Sequence, residues 1–204
     1  MYLPEHFREE RSDVLHGLMR NYPLATLITY GPRGLEANHV PLLLHPPTLV
    51  LRGHLARANQ QWQNLAPGAE SMAIFQGPSA YVSPNWYPTK HETGRAVPTW
   101  NYVVVHAWGE LTVYSEPDRL LSFLEDLTAE HEASEPLPWR PSDAPAGFIE
   151  SQLKAIVGIE LRITRMEGKW KVSQNQPPAN REGAAVALDQ RGRPDISRLI
   201  RGER

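Results

Sequence analysis

Hydrophobic and polar residues alternate along much of the chain, and this alternation predicts strands more often than helices. Three alternating runs, LATLITYG, EANHVPLLLH and TLVLRGH, follow one another between residues 24 and 54, and turn-forming glycines and prolines separate them. Pro41 lies inside the second run. Because proline cannot donate a ladder hydrogen bond, this run is predicted to be an edge strand or to contain a bulge.

Further strands are predicted in the second half of the chain. SMAIFQG and AYVSP read as two short strands, and residues 99–115 form the longest candidate. IVGIELRITRM and KWKVSQN are predicted to pair as a closing hairpin that turns at Glu167 and Gly168. These runs give about seven mostly antiparallel strands, and a small barrel would leave them no free sheet edges.

Helical periodicity occurs between the strands, so the predicted class is mainly β (α+β) with peripheral helices. The predicted helices are residues 8–21, with Val14, Leu15, Leu18 and Met19 on one face; ARANQQWQNLAPG; a helix opened by Pro117, with Leu120, Leu124 and Leu127 on one stripe; residues 148–154; and one or two weak helices after residue 176. Residues 85–98 read as a long polar loop, which is typical of a functional or a mobile segment. We expect one domain at residues 1–175 and a helical tail at residues 176–204.

Composition excludes several classes of function. The 204 residues carry a net charge of -2, which provides no overall field to attract nucleic acid. The chain has no cysteine, so disulfides, thiolate zinc sites and iron–sulfur ligation are excluded. No stretch resembles a signal peptide or reaches the roughly 20 apolar residues of a membrane helix. We therefore expect a cytoplasmic protein.

A phosphate site is predicted where the third strand ends at Gly53 and His54. A helix predicted to begin a few residues later would direct free backbone N–H groups and its positive dipole to this point. Arg57 and Asn59 stand beside His54 as further hydrogen-bond donors, and an arginine can grip two phosphate oxygens at once. An ordinary solvated helix start is the alternative.

Three further stretches are candidates. His39 lies on the predicted strand beside the one that ends at His54. Aromatic residues interleaved with amides and hydroxyls suit a core, an interface or a pocket for a flat heteroaromatic ring: Trp86, Tyr87, Trp100, Tyr102 and Trp108, with Asn85, Thr99 and Asn101. KWKVSQN is dense in polar residues at a strand end. Paired metal-ligand spacings, nucleophile elbows and P-loops are absent from the sequence, so neither a metal site nor a catalytic residue is predicted.

The order of several motifs resembles the PaiB family of FMN-binding split-barrel proteins, often labelled negative transcriptional regulators. The motifs are MYLPEHF, ANHVPLLL, GHLARANQQW, AYVSPNWYP, VPTWNYVVVHAWG, IVGIELRI and GKWKVSQN, in order from Met1 to Asn175. The resemblance implies a split barrel, a homodimer and one FMN at each of two interface sites. KVSQN replaces the arginine and histidine that related oxidases use for substrate, so pyridoxamine phosphate is not the expected substrate.

The resemblance also implies which residues contact the flavin. The phosphate would lie at Gly53, His54, Arg57 and Asn59, and the ring and ribityl chain at Asn38, His39 and Val40. The partner subunit would close the site with Trp86, Tyr87, Trp100 and Asn101, and the end of the last strand would approach through Lys171, Ser173, Gln174 and Asn175.

Two alternatives to a flavin redox protein remain open at this stage. Haem-handling proteins occur on the same barrel, and His39, His54, His91 or His106 would then be the axial ligand. Direct DNA binding follows only from the family label, because the sequence shows no helix-turn-helix with a basic recognition helix.

Overall fold

The computed structural model describes residues 1–145 and 147–203. Its helices are α1 (Ser12–Asn21), α2 (Pro88–Thr93), α3 (Pro117–Glu132), α4 (Phe148–Lys154), α5 (Pro178–Asp189) and α6 (Pro194–Arg201). Its strands are β1 (Arg8–Glu9), β2 (Leu24–Gly31), β3 (Gly34–Pro41), β4 (Leu43–His45), β5 (Val50–Ala56), β6 (Ser71–Val82), β7 (Thr99–Tyr114) and β8 (Ile156–Lys171).

The strands form one sheet in the order β3-β2-β6-β7-β8-β5-β4, and β1 pairs with β8. The pairings of β2 with β3 and β6, and of β5 with β4 and β8, are antiparallel. This confirms the mainly β split-barrel fold with peripheral helices. The position of β3 at one end of the order confirms that the run containing Pro41 is an edge strand.

The chain divides into two compact units. The first contains Met1–Asn21, Gln76–Val105 and Glu167–Arg204, and its buried apolar side chains include Met19, Val82, Val105, Ile196 and Ile200. The second contains Tyr22–Phe75 and His106–Met166, and its core includes Leu27, Leu51, Phe75, Phe123 and Leu161.

Within the second unit, β3 approaches β5 although four strands separate them in the sheet order. A Cβ at Gly53 would lie 2.6 Å from Leu42 Cδ2 and 3.1 Å from the carbonyl oxygen of Pro41. The absence of a Cβ at Gly53 therefore leaves room for the Leu42 side chain. This contact brings together strands from the two ends of the order, as closure of a barrel requires.

Two predicted strand breaks are wrong. β8 runs without interruption through Glu167 and Gly168, where a hairpin turn was expected. Gly168 is needed for close packing, because a Cβ there would lie 2.3 Å from Leu15 Cδ2 and 2.8 Å from the Glu9 carbonyl oxygen of β1. β6 likewise continues through Pro78. This proline lies beyond the segment of β6 that pairs with β2, so no hydrogen bond from its nitrogen to β2 is required.

Other boundaries also differ from the prediction. Helix α1 begins at Ser12, because residues 8 and 9 pair with β8 as β1. The predicted loop at residues 85–98 contains α2, and EANHVPLLLH is divided into β3 and β4 at Leu42, whose N–H donates to the Pro23 carbonyl. ARANQQWQNLAPG forms only a 3₁₀ turn at Gln60–Gln63.

The helices opened by Pro117 and at Phe148–Lys154 are confirmed, and the tail contains two helices, α5 and α6. Leu120 and Phe123 are the buried side chains of α3. Among the described residues, no helix is both long and apolar enough to cross a membrane. The domain boundary at residue 175 stays a prediction.

A comparison of Gly168 with Gly17, two glycines of the first unit in different surroundings, tests the close packing at β8. Gly168→Ala should lower the free energy of unfolding by about 1–3 kcal/mol, because the new methyl group overpacks against Leu15 and Glu9. Gly17→Ala, in α1 with nothing within 4 Å of its Cβ position, should raise it by about 1 kcal/mol. Urea denaturation measures both, and equal effects would contradict the packing role.

Candidate functional site

A small polar cavity lies in the first unit and has a volume of about 180 Å³. We call it the Asn101 cavity. Its lining residues are Tyr87, Val97, Pro98, Thr99, Asn101, Lys171, Ser173, Asn175 and Gln176. Five of the residues predicted to contact the flavin therefore meet here: Tyr87, Asn101, Lys171, Ser173 and Asn175.

The cavity is built where β7 begins and β8 ends. Asn101 is the third residue of β7, and its Nδ2 donates to Ser173 Oγ at 2.8 Å. Lys171, the last residue of β8, donates from Nζ to Thr99 Oγ1 and to the carbonyl oxygen of Trp100. Ser173 has a left-handed φ of 64°, a conformation that costs a non-glycine residue free energy and turns the chain beneath the cavity.

Two buried polar atoms of this cavity have no hydrogen-bond partner. They are the Oδ1 of Asn101, a residue that is 1% exposed, and the hydroxyl of Tyr87, a residue that is 3% exposed. Burial raises the pKa of Tyr87, and the interaction of its hydroxyl with the Ser173 side chain opposes this rise. Both atoms belong to residues that line the cavity, so a small rearrangement would let a ligand group pair with them.

Lys171 is the only charged residue among the cavity's lining residues. Burial lowers its pKa, the neighbouring Lys169 adds to this effect, and Tyr102 opposes it. Because the described residues that line the cavity include no carboxylate, its field favours neutral or anionic ligand groups.

The aromatic residues that were predicted to form a core, an interface or a pocket lie in different environments. Trp100 is 57% exposed and contacts the exposed Tyr81 ring edge-on, with ring centroids 6.2 Å apart. Trp86 lies under the guanidinium of Arg191 at 4.6 Å, and Lys169 lies 5.4 Å from the ring of Tyr102. Trp86, Trp100 and the exposed Gln174 do not line the cavity.

Trp108 belongs to the second unit. Its ring lies 3.7 Å from the guanidinium carbon of Arg165 and 5.5 Å from the ring of His106. These contacts make it part of the packing of that unit.

In the second unit, alternation along β3 separates the three residues predicted to follow the ring and ribityl chain. His39 is exposed, whereas Val40 is buried and Asn38 is half-buried. Asn38 donates from Nδ2 to Gln61 Oε1 at 2.9 Å. His39 therefore faces away from the side on which Asn38 and Val40 lie.

The predicted helix N-terminus beside His54 is wrong, since only the 3₁₀ turn at Gln60–Gln63 follows β5. The Asn59 side chain caps this turn by accepting from the N–H of Gln61. Arg57 is exposed and donates from Nε and Nη2 to the carbonyl oxygens of Lys154 and Ile156, both at 2.8 Å. These two bonds leave the other N–H groups of its guanidinium available to a ligand.

His54 lies in the middle of β5, at a half-buried position opposite Gly158. Burial lowers its pKa, so the imidazole is neutral at pH 7. Its Nδ1 is buried without a partner, and its ring lies 6.0 Å from that of Phe123. The side chain thus contributes a neutral group and not a positive charge.

Gln61 was missed by the sequence reasoning. It is completely buried, and its Nε2 donates to the carbonyl oxygens of Leu27 at 3.0 Å and Glu36 at 3.2 Å. The same side chain accepts from Asn38, so it links β2 and β3 to the turn that follows β5. A glutamine among other polar residues gives no sequence signal of burial.

Comparison with known proteins identifies the family of the chain. Residues 1–165 match the profile of a family described as "Putative FMN-binding domain". The chain therefore belongs to this FMN-binding family, and its flavin cofactor is FMN.

The relatives extend over nearly the whole chain. AN0679 of Emericella nidulans is 33% identical, with 94% of this chain and 92% of the relative covered. "Protease synthase and sporulation protein PAI 2" of Bacillus subtilis is 26% identical, with 98% of this chain and 94% of the relative covered. The resemblance to the PaiB family is confirmed.

Solved structures confirm the fold. The FAD and haem binding protein from Mycobacterium smegmatis superposes with a TM-score of 0.61 at 17% identity, over 80% of this chain and 73% of that chain. At this level of identity the likeness shows the fold alone.

The residues present fit a flavin in three respects. Flavins carry carbonyl and N–H groups on the ring edge, and the Asn101 cavity offers an unused acceptor and an unused donor. The exposed rings of Tyr81 and Trp100 offer flat apolar surface, and Arg57 has unused N–H groups for a phosphate.

Gln61 provides a test of how this region is held together. Gln61→Ala should lower the free energy of unfolding by roughly 2–4 kcal/mol, because Leu27, Glu36 and Asn38 each lose a buried hydrogen-bond partner. Gln63→Ala, at an exposed position of the same turn, should stay within about 0.5 kcal/mol of the wild type. Chemical denaturation followed by tryptophan fluorescence measures both, and similar losses would refute the role of Gln61.

Proposed function

We propose that this protein is a homodimeric, FMN-dependent redox protein, and that regulation of transcription, where it occurs, is linked to the redox state or the metabolites of this site. The observation that carries the proposal is the Asn101 cavity, whose buried donor and acceptor lack partners in a chain of an FMN-binding family. Oxidoreductase activity is part of the proposal, and no residue is assigned a catalytic role.

The proposed flavin site would consist of two groups of residues. The phosphate would bind at Arg57, aided by Gly53, His54 and Asn59, while Asn38, His39 and Val40 would follow the ring and ribityl chain. A partner subunit would contribute the remaining residues: Trp86, Tyr87, Trp100, Asn101, Lys171, Ser173, Gln174 and Asn175. Support comes from the unused N–H groups of Arg57 and from the order of motifs along the chain.

The protein's own contribution to the chemistry would be binding and orientation. A bound flavin supplies hydride and electron transfer, so the surrounding residues need not act as strong acids or bases. Lys171, held by Thr99 and the Trp100 carbonyl, would place a positive charge beside negative charge that develops on a reduced ligand. Val97 and Pro98 would limit the access of water at the cavity.

Direct DNA binding is not favoured by the charges of the C-terminal helices. Arg201 pairs with Glu182 and Asp189, and Arg193 pairs with Asp195. The guanidinium of Arg181 donates to the carbonyl oxygen of Ile200. Since these groups are neutralised or occupied, we propose that a regulatory role acts through small molecules. DNA binding that weakens steeply with salt would contradict this.

Haem binding is the second candidate, because the structural neighbour from Mycobacterium smegmatis binds both FAD and haem. Of the four candidate ligands, His54 is held neutral by burial, as a metal ligand must be. His39 and His91 are exposed, and His106 lies against Trp108. A Soret band on haem titration that is lost in His54→Ala would favour this candidate over the flavin.

The outward face of β2, β3 and β6 supports the proposed dimer. Paired residues of antiparallel strands point to the same side, and this side carries Leu24, Thr26, Ile28, Tyr30, Leu35, Ala37, His39, Pro41, Met72 and Ile74. Leu24, Tyr30 and Leu35 are 60%, 54% and 74% exposed. A contiguous apolar face of this kind usually contacts another protein. We assign it to a second copy of the chain, which would place His39 at the interface.

The flavin proposal is tested by titration with FMN, followed by quenching of flavin fluorescence. Wild-type protein should bind FMN, and Arg57→Ala should weaken binding by about 10- to 100-fold through loss of hydrogen bonds to the phosphate. Arg33→Ala is the matched control, because Arg33 also donates to a backbone carbonyl, that of Gln60. Absence of FMN binding would refute the function, and equal affinity in both variants would refute the phosphate site.

The dimer is tested by light scattering after size exclusion. Leu35→Glu should convert a dimeric wild type to a monomer, because it places a charge in the proposed apolar interface. Leu137→Glu, at a position that is 90% exposed and outside the strands, should leave the dimer intact. A monomeric wild type, or a Leu35→Glu variant that stays dimeric, would contradict the interface.

A further inference from the structure

The Asn101 cavity contains an acceptor and a donor that the protein itself does not use. The Asn101 side chain is fixed by its bond from Nδ2 to Ser173 Oγ at 2.8 Å, which directs Oδ1 away from that bond. Oδ1 and the Tyr87 hydroxyl are both buried and unpartnered. Buried polar groups are nearly always hydrogen-bonded in folded proteins, so a ligand group or an ordered water is expected to pair with each of these two.

The chemistry of these groups defines what they can bind. Asn101 Oδ1 needs an N–H or O–H donor, whereas the Tyr87 hydroxyl can donate to an acceptor. The Lys171 ammonium has three N–H donors and uses two of them on Thr99 and Trp100. Its third N–H can donate to the ligand acceptor that pairs with the Tyr87 hydroxyl. The ligand group must therefore present a donor beside an acceptor.

We infer that the Asn101 cavity is a subsite for a carboxamide, lactam or imide group on a small planar ring. Such groups place an N–H directly beside a C=O, so the N–H can pair with Asn101 Oδ1 while the C=O accepts from the Tyr87 hydroxyl or from Lys171. The inference extends the proposed function in one respect, because the imide edge of the flavin is one of two possible sources of the group. The other source is a separate substrate that carries a carboxamide.

The volume of the cavity sets the size of the group. Its 180 Å³ equals the liquid volume of about six water molecules, which holds one small ring and its substituent. Complete FMN or a dinucleotide exceeds this volume, so only one end of such a molecule enters.

The same geometry predicts discrimination between an amide and its acid. A carboxylate would be attracted by Lys171 and Tyr87, but it would place a second acceptor against Asn101 Oδ1 and leave that atom unpaired. Sites that hydrogen-bond a substrate N–H reject analogues without it strongly. The cavity should thus prefer nicotinamide to nicotinate despite the positive charge of Lys171.

The experiment is a titration of the full chain with nicotinamide, nicotinate and uracil, measured by ligand-observed NMR. Nicotinamide and the imide uracil should bind at least about tenfold more tightly than nicotinate. Tyr87→Phe should weaken nicotinamide binding by about tenfold, because the ligand loses the hydroxyl as a hydrogen-bond donor, while the melting temperature falls little. Tyr22→Phe, an exposed tyrosine of the second unit, should match the wild type in both measurements.

Three outcomes would overturn the inference: tighter binding of nicotinate, no binding of either amide or imide, or unchanged affinity in Tyr87→Phe. The preference of the wild type for nicotinamide decides the matter should Tyr87→Phe fail to fold. Repeating the titration with saturating FMN separates the two sources, since competition assigns the cavity to the flavin edge and simultaneous binding assigns it to a separate ligand. A protein that binds nicotinamide but no FMN would refute the proposed function and leave this inference standing.

Discussion

Antiparallel pairing of β7 with β8 brings the start of one strand beside the end of the other, and the Asn101 cavity depends on this constraint. The bonds from Asn101 to Ser173 and from Lys171 to Trp100 occur where β7 begins and β8 ends. Glycine at position 109 permits the pairing farther along, because a Cβ there would lie 1.9 Å from the carbonyl oxygen of Arg162. A larger residue at that position would clash with β8 and weaken the pairing of the two strands there.

Local patterns predicted those parts of the fold whose stability is local. The helix opened by Pro117 was predicted from that proline and from its stripe of leucines, and the helix at Phe148–Lys154 is confirmed as well. The turn at Gln60–Gln63 was predicted as a longer helix, but the side chains of Gln61 and Asn64 bond to β2, β3 and their connection. These tertiary bonds outweigh helix propensity. Gly168 was predicted to be a turn residue, but a glycine is needed there because Leu15 and Glu9 approach its backbone closely. This tertiary contact likewise leaves no local sequence signal.

The candidate site was predicted in its residue types and not in its geometry. Polar residues at the end of KWKVSQN and beside Trp100 were recognised, and five of the predicted residues line one cavity. Which neighbour faces the cavity depends on strand register, so Asn101 is buried while Trp100 beside it is exposed. Unpartnered atoms such as Asn101 Oδ1 cannot be predicted from sequence. Whether an atom lacks a partner depends on where all the neighbouring side chains lie in the folded chain.

The cavity also lowers the free energy of unfolding of the ligand-free protein. The left-handed φ of Ser173 costs on the order of 1–3 kcal/mol, and each unpaired buried polar atom costs about 1–3 kcal/mol. A ligand that pairs with Asn101 and Tyr87 recovers the second cost and not the first, since it does not alter the backbone. Binding and folding are therefore linked through these two side chains, and any ligand that satisfies both shifts the unfolding equilibrium toward the folded state by mass action. A ligand that satisfies only one leaves the other atom buried and unpaired, so the free energy of the cavity itself favours ligands in which a donor and an acceptor lie side by side.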